Sequence, residues 1–312
     1  MGSRAVFGAA MLELAAQRDD VIVISADLVA SSGLDRFRKT YPERCVNVGI
    51  AEQNLIGVAS GLANEGATVF ATSFAPFISM RAGEQIRMNM GYMEMNVKAV
   101  GLGSGLAMAH LGNSHYGLED VGIMRSIPNI TVLCPADGAE IFKAVFAAAE
   151  LRGPAYIRLT GEVNNPAVYD SDYEFEIGKS IKLRDGEDAA IMTNGAMLYR
   201  CLEAAEFLRQ DGINASVINM HTVKPLDYTA IKDAALKCPI ITAEEHSVIG
   251  GLGSAVAEYK STLENAHPQL FIGLPDKYGP SGDYAYLLEK YGLTGAAIAE
   301  RTMVFLKERG FA

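Results

Sequence analysis

Cysteine is scarce in this 312-residue chain and never closely paired. Cys45, Cys134, Cys201 and Cys238 stand far apart with no C-x-x-C. That spacing excludes a zinc knuckle and a disulfide framework and predicts reduced thiols in a cytoplasmic protein. The five histidines are equally scattered, so metal-ligand spacing is missing. No run approaches the roughly 18 apolar residues of a membrane span. The opening "MGSRAVFGAAMLELAAQRDD" lacks the long apolar centre of a signal peptide and reads as an amphipathic helix. There is no Lys/Arg-rich block, and the net charge of −10 argues against a nucleic-acid partner. Also absent are G-x-x-x-x-G-K-[ST], the G-x-S-x-G elbow and H-E-x-x-H, which removes a P-loop, a hydrolase nucleophile and a zincin helix.

What the chain does have is apolar residues, 49% against 21% charged, enough for a sizeable core and for about two domains. Short β-branched runs alternate with helical patterns. "VIVIS" (21–25), "CVNV" (45–48), "ATVFATS" (67–73), "VKAVGL" (97–102), "ITVLC" (130–134) and "AYIRL" (155–159) read as buried strands. Helices are expected near 5–17, 52–64, 78–91, 119–126 and 138–151. Such alternation predicts a parallel sheet covered on both faces. From residue 160 the chain turns polar and rich in Asn, Asp, Tyr and Gly, and then a second βα series begins with "AAIMT" (189–193). The fold class expected is α/β, with two doubly wound domains: 1–165, a linker over 166–184, and 185–312.

Two glycine clusters, "GLGSGLAMAHLG" (101–112) and "VIGGLGSAVAEY" (248–259), invite a phosphate-loop reading. The second is spaced GGxG rather than GxGxxG, and tight strand-to-helix turns use such glycines without any ligand. The stretch "VGIAEQN" (48–54) poses a sharper question. Glu52 sits where an apolar run meets a helix, and there it is either a first-turn charge favoured by the helix dipole or a carboxyl group aimed into a site.

"VGIAEQNLIGVASGLANEG", "ATSFAPFISMRAGEQIR", "GLEDVGIMRSIPNITVLCPADG", "TVKPLD" and "AEEHSVIGGLGSAVAEY" occur in that order. In these blocks, collinear from about Arg4 to the C-terminus, the chain resembles the C-terminal portion of transketolase, a thiamine-diphosphate enzyme. Transketolases of one chain carry a diphosphate-binding domain first, marked by GDG, then a pyrimidine-binding and a C-terminal domain. No GDG occurs here. The resemblance therefore implies the small subunit of a split transketolase, with a thiamine-diphosphate pyrimidine-binding domain and a transketolase C-terminal-like domain. Its partner would be a large N-terminal subunit supplying the oxygen ligands for Mg²⁺ and the diphosphate. The assembly implied is α2β2, acting on sugars or sugar phosphates by transfer of a two-carbon ketol unit.

The resemblance also implies roles for individual residues. Glu52 falls on the glutamate that hydrogen-bonds the cofactor's aminopyrimidine ring, which makes it catalytic as well as cofactor-binding. Phe74 and Phe77 fall on positions that hold that ring, Phe77 being the stacking partner. Arg4 and Ser31 match residues that bind a sugar phosphate. His115, in "SHYGLED", matches a substrate-facing position and counts as catalytic and substrate-binding. The structural alternatives are core phenylalanines, a terminal surface arginine, an ordinary turn serine and a loop histidine. Glu119 and Asp120 read as helix-dipole complements, and His221 and His246 as structural.

Several positions depart from the family pattern. Leu111 precedes Gly112 where an acid is common, Gly103 stands near a usual histidine, Gly161 replaces a second arginine, and "GPSG" lacks the basic residue before Ser281. The cofactor face is kept while the acceptor and phosphate face is altered. Three other functions fit parts of this pattern: the β-subunit of a 2-oxo-acid dehydrogenase, a synthase joining a 2-oxo acid to a sugar phosphate, and a non-catalytic scaffold paralogue.

Overall fold

The computed structural model describes residues 2–161 and 165–311. Two α/β units follow one another. The first carries strands β1 (Val21–Ser25), β2 (Cys45–Asn47), β3 (Thr68–Phe74), β4 (Val97–Leu102), β5 (Thr131–Leu133) and β6 (Ala155–Arg158). The second adds β7 (Ile181–Arg184), β8 (Ala189–Thr193), β9 (Ala215–Asn219), β10 (Thr222–Lys224), β11 (Ile240–Ser247) and β12 (Gln269–Leu274). The seven-stranded sheet runs β10-β5-β6-β4-β3-β1-β2, and the five-stranded one β12-β11-β8-β9-β7. Both are parallel except at one edge, where β10 opposes β5 and β7 opposes β9. The expected α/β class with two doubly wound domains is what the chain adopts.

The period-two geometry of strands explains how the first sheet is buried on both faces. Val69 and Ala71 of β3 pack with Leu55, Ile56 and Ala59 of the helix Glu52–Asn64. Phe70, between them, points the other way, toward Phe7, Met11 and Leu14 of the helix Ser3–Gln17. Asp137 caps the helix Gly138–Glu150 by accepting from the Glu140 amide, which aligns that helix beside Ser3–Gln17. Among the described residues no helix is long and apolar enough to cross a membrane.

Three features differ from the sequence reading. The helix expected over 78–91 is broken into π turns at Phe77–Arg81 and Ile86–Tyr92 around a short α segment, with Ala82 N–H reaching back five residues to Phe77 C=O. The polar connection contains strand β7. Finally, "TVK" of the second unit leaves its own sheet and pairs with β5 of the first as β10. A three-residue strand has too little hydrophobic pattern to announce itself.

Buried charge joins the two units. Asp120 and Arg158 pair at 2.9 Å, both almost wholly enclosed, and the Tyr156 hydroxyl donates to Asp120 at 2.7 Å. Arg158 also donates to the carbonyls of Gly117 and Glu245. Glu245, on β11, accepts from the Leu106 amide at 2.5 Å and the Tyr284 hydroxyl at 2.6 Å. Glu140, on the first unit, accepts from Asn219 of β9 at 2.8 and 3.0 Å. Asp120 thus opens its helix in a structural role, and its partner there is a buried guanidinium.

Burial pushes the Glu245 and Glu140 carboxyls up to about 7. Each holds its proton more tightly folded than unfolded, so the stability it lends is complete below the ordinary carboxylate range. That stability is lost as pH rises through about 7. Glu245→Gln cannot ionise but can still accept from Leu106 and meet Tyr284. Its unfolding free energy relative to the parent should therefore rise by about 2 kcal/mol between about pH 5 and pH 8. Urea denaturation at the two pH values checks this, and a difference that does not change with pH rules the explanation out.

Candidate active site

Glu52 opens its helix directly after Ala51, whose backbone is non-helical, and no side chain caps that end. The helix packs beneath β3, which brings the carboxylate against the strand's C-terminal end. Only 2% of Glu52 is exposed. One carboxylate oxygen accepts from the Ser73 hydroxyl at 3.0 Å and the other from Arg81 at 2.8 Å. The acid at the strand–helix join is therefore not a solvated first-turn charge.

Beside it the "SFAPF" turn holds two half-buried rings. Phe74 and Phe77 meet edge to face at 6.1 Å, and His115 meets each of them edge on, at 5.7 and 5.2 Å. His115 reaches this cluster from the loop after β4 and exchanges a 2.9 Å hydrogen bond with the Ser114 hydroxyl. That loop is tied down by a bridge between Gly105 and Gly117 and by the Glu245 contact to Leu106. Glu52, Phe74, Phe77 and His115 are thus brought together, from three places in the chain.

Arg4 and Ser31 lie in an adjoining cavity of 480 Å³, walled also by Gly103 and Met108. They share it because the turn carrying Ser31 lies directly on the first helix. A Cβ on Gly33 would stand 2.3 Å from the Arg4 carbonyl, so only glycine lets the two backbones close. Gly103 marks the junction with the aromatic cluster. Its φ is +60°, and a Cβ there would fall 2.4 Å from the Met108 sulfur and 3.8 Å from Phe74. A side chain at 103 would strain the backbone and displace Met108. Leu111 is half exposed and carries no polar atom into the site.

Arg81 and Ser73 are missing from the sequence reading. Arg81 looks like a surface residue in "FISMRAGEQIR", and the only available hint is a lone cation in an apolar stretch. In the structure its guanidinium lies over the Phe77 ring, 4.4 Å from the centroid, while donating to Glu52. His221 stacks on Phe175, and burial lowers its pKa to about 4. His246 is enclosed near Asp120 and Glu244, bonded through Nδ1 to the Ser247 carbonyl. Neither reaches the cluster around Glu52. Among the described residues no group of three or more His, Cys, Asp or Glu could hold a metal ion.

Fold and site together define a two-domain α/β chain that sets a buried carboxylate beside half-buried aromatic rings. Residues 1–163 match the transketolase pyrimidine-binding domain, and residues 178–298 match the transketolase C-terminal domain. The chain is 41% identical to a putative transketolase C-terminal section of Methanocaldococcus jannaschii, over 98% of this chain and 97% of that one. It is 42% identical to the 6-deoxy-6-sulfo-D-fructose transketolase subunit SqwH of a Clostridium species, over 96% and 93%. A solved split gene transketolase, described as an inactive beta4 tetramer, superimposes with a TM-score of 0.88 at 42% identity, covering 96% of both chains. The chain belongs to the transketolase family, in which it corresponds to the pyrimidine-binding and C-terminal domains of a split transketolase.

Proposed function

We propose that this chain is the small subunit of a two-chain, thiamine-diphosphate-dependent transketolase. It would move a two-carbon ketol unit from a ketose or its phosphate to an aldose or its phosphate. The observation that carries the reading is the buried Glu52 carboxylate set beside the half-buried face of Phe77. A flat ring bearing a hydrogen-bond donor needs an apolar plane and an acceptor at its edge, and these two residues offer both. The guanidinium of Arg81, itself planar and a donor, satisfies the same pair of contacts, so the residues present fit such a group. Bound there, thiamine diphosphate would supply the nucleophilic carbon and the electron sink of the reaction.

The chain's own residues divide the remaining work. Glu52 holds and exchanges a proton at the pyrimidine edge, while Phe77 and Phe74 keep the ring oriented and dry. His115 reaches the reacting end of a ketose as hydrogen-bond partner, and Arg4 with Ser31 takes the far hydroxyls or the phosphate. Mg²⁺ and diphosphate ligands come from a large subunit, in an α2β2 assembly of the cytoplasm. Apolar exposure supports that partner. Ile50, two residues before Glu52, is 77% exposed, and Met80, next to Arg81, is also open. A large subunit seated over Glu52 would cover these apolar side chains. We place the domain limits at 1–165 and 185–312, about a connecting segment over 166–184 whose end joins the second sheet as β7. The names of relatives leave the sugar open, since one acts on a sulfo-sugar and this cavity's wall is altered at Gly103.

Ketol transfer should be undetectable with this chain, thiamine diphosphate and Mg²⁺ alone, and should appear when the large subunit is co-expressed and co-purified. A donor–acceptor screen on the complex identifies the sugars. Robust turnover by the isolated chain would remove the split-enzyme reading.

A further inference from the structure

We infer that Arg81 is a built-in competitor for the pyrimidine half of the cofactor, resting its guanidinium on the two contacts that the ring needs. This rests on the reading of the Glu52 site given above. Ser73 takes one oxygen of the Glu52 carboxylate, so the other is the one that can meet an incoming donor, and Arg81 holds it at 2.8 Å. The same guanidinium covers the Phe77 ring at 4.4 Å. Phe74 and His115 meet that ring edge to face, at interplanar angles of 75° and 70°, so neither lies stacked on it. A planar ring stacked where Arg81 now lies and donating to the same carboxylate oxygen cannot coexist with the guanidinium.

The arrangement solves a problem of the site. A carboxylate as enclosed as Glu52 is costly without a partner, and Arg81 supplies one whenever the ring does not. Arg81 is 49% exposed, so it can swing into solvent without breaking the core. Phe77 and Arg81 bound one π turn, an irregular helical form often found at functional sites. Competition of this kind lowers the apparent cofactor affinity by the fraction of chains in which the guanidinium is seated.

The test uses the two-subunit complex and titrates thiamine diphosphate at saturating Mg²⁺ by isothermal calorimetry. Arg81→Met keeps bulk over Phe77 but gives Glu52 no donor, and should bind the cofactor about fivefold more tightly than the parent. The unfolding midpoint before cofactor addition should fall in this variant, and the rise on addition should be larger. Arg81→Lys keeps the charge without the planar fork, so it should bind more tightly than the parent and less tightly than Arg81→Met. It carries the test if the methionine variant does not assemble. Equal or weaker binding by the variant that assembles overturns the inference. Glu52→Gln in the same titration separates the two questions. Weakened binding keeps the Glu52 site whatever Arg81 does, and unchanged binding removes the site and this inference with it.

Discussion

In the reconstituted complex, Glu52→Gln lowers kcat for ketol transfer by about a thousandfold, within the range that a positioned acid–base group supplies. Glutamine matches the shape of the side chain, and its carbonyl can still accept from Arg81 while its amide donates to the Ser73 hydroxyl, so the helix Glu52–Asn64 and its packing under β3 should stay intact. The loss is the ability to give and take a proton at the oxygen Arg81 now holds. Far-UV circular dichroism and the thermal midpoint should therefore stay close to the parent while turnover collapses. Single-turnover kinetics with a ketose donor would show whether the deficit lies in chemistry rather than in release. A variant keeping more than about a tenth of parental turnover would take Glu52 out of the proton-transfer role.

Arg158→Met destabilises the chain by about 3–5 kcal/mol, because it leaves a buried carboxylate without its counter-charge. Burial acts to raise the Asp120 carboxyl, but Arg158, His246 and the Tyr156 hydroxyl outweigh it and hold the group below its ordinary value. Methionine fills much of the arginine's volume, so the effect is electrostatic rather than a cavity. It also strips donors from the Gly117 and Glu245 carbonyls, which loosens the loop carrying His115. Pairing it with Asp120→Asn should recover a large part of the loss, since an uncharged pair of similar size avoids the stranded ion. Guanidinium denaturation of both variants decides the matter, and a loss below about 1 kcal/mol for Arg158→Met would show that Asp120 finds another partner or a proton at little cost.

Much of this architecture is legible in the residues themselves. The alternation of buried strands and helices gives the class, and the β3 pattern gives the two packed faces. The cofactor face is legible only through the resemblance, because nothing in "VGIAEQN" alone distinguishes a first-turn acid from an enclosed one. What decides that is the register of Glu52 against Ser73, a contact across 21 residues. Arg81 is hidden for the same reason. Its place in the sequence says nothing about a carboxylate 29 positions away. The Asp120–Arg158 pair spans 38 positions and depends on β6 lying beside the loop before Asp120. The missed features of the site are long-range pairings of polar groups, whereas the fold class and the two packed faces follow from local periodicity.

Strand β10 has a mechanical consequence. It belongs to the second unit by sequence but completes the first unit's sheet, so the two are clasped rather than merely abutted. Bending one against the other would unzip the β5 edge and expose its amides. Any motion that opens the cluster around Glu52 therefore falls to the loop around His115 rather than to a hinge between the two units, and this chain moves as a single stiff body.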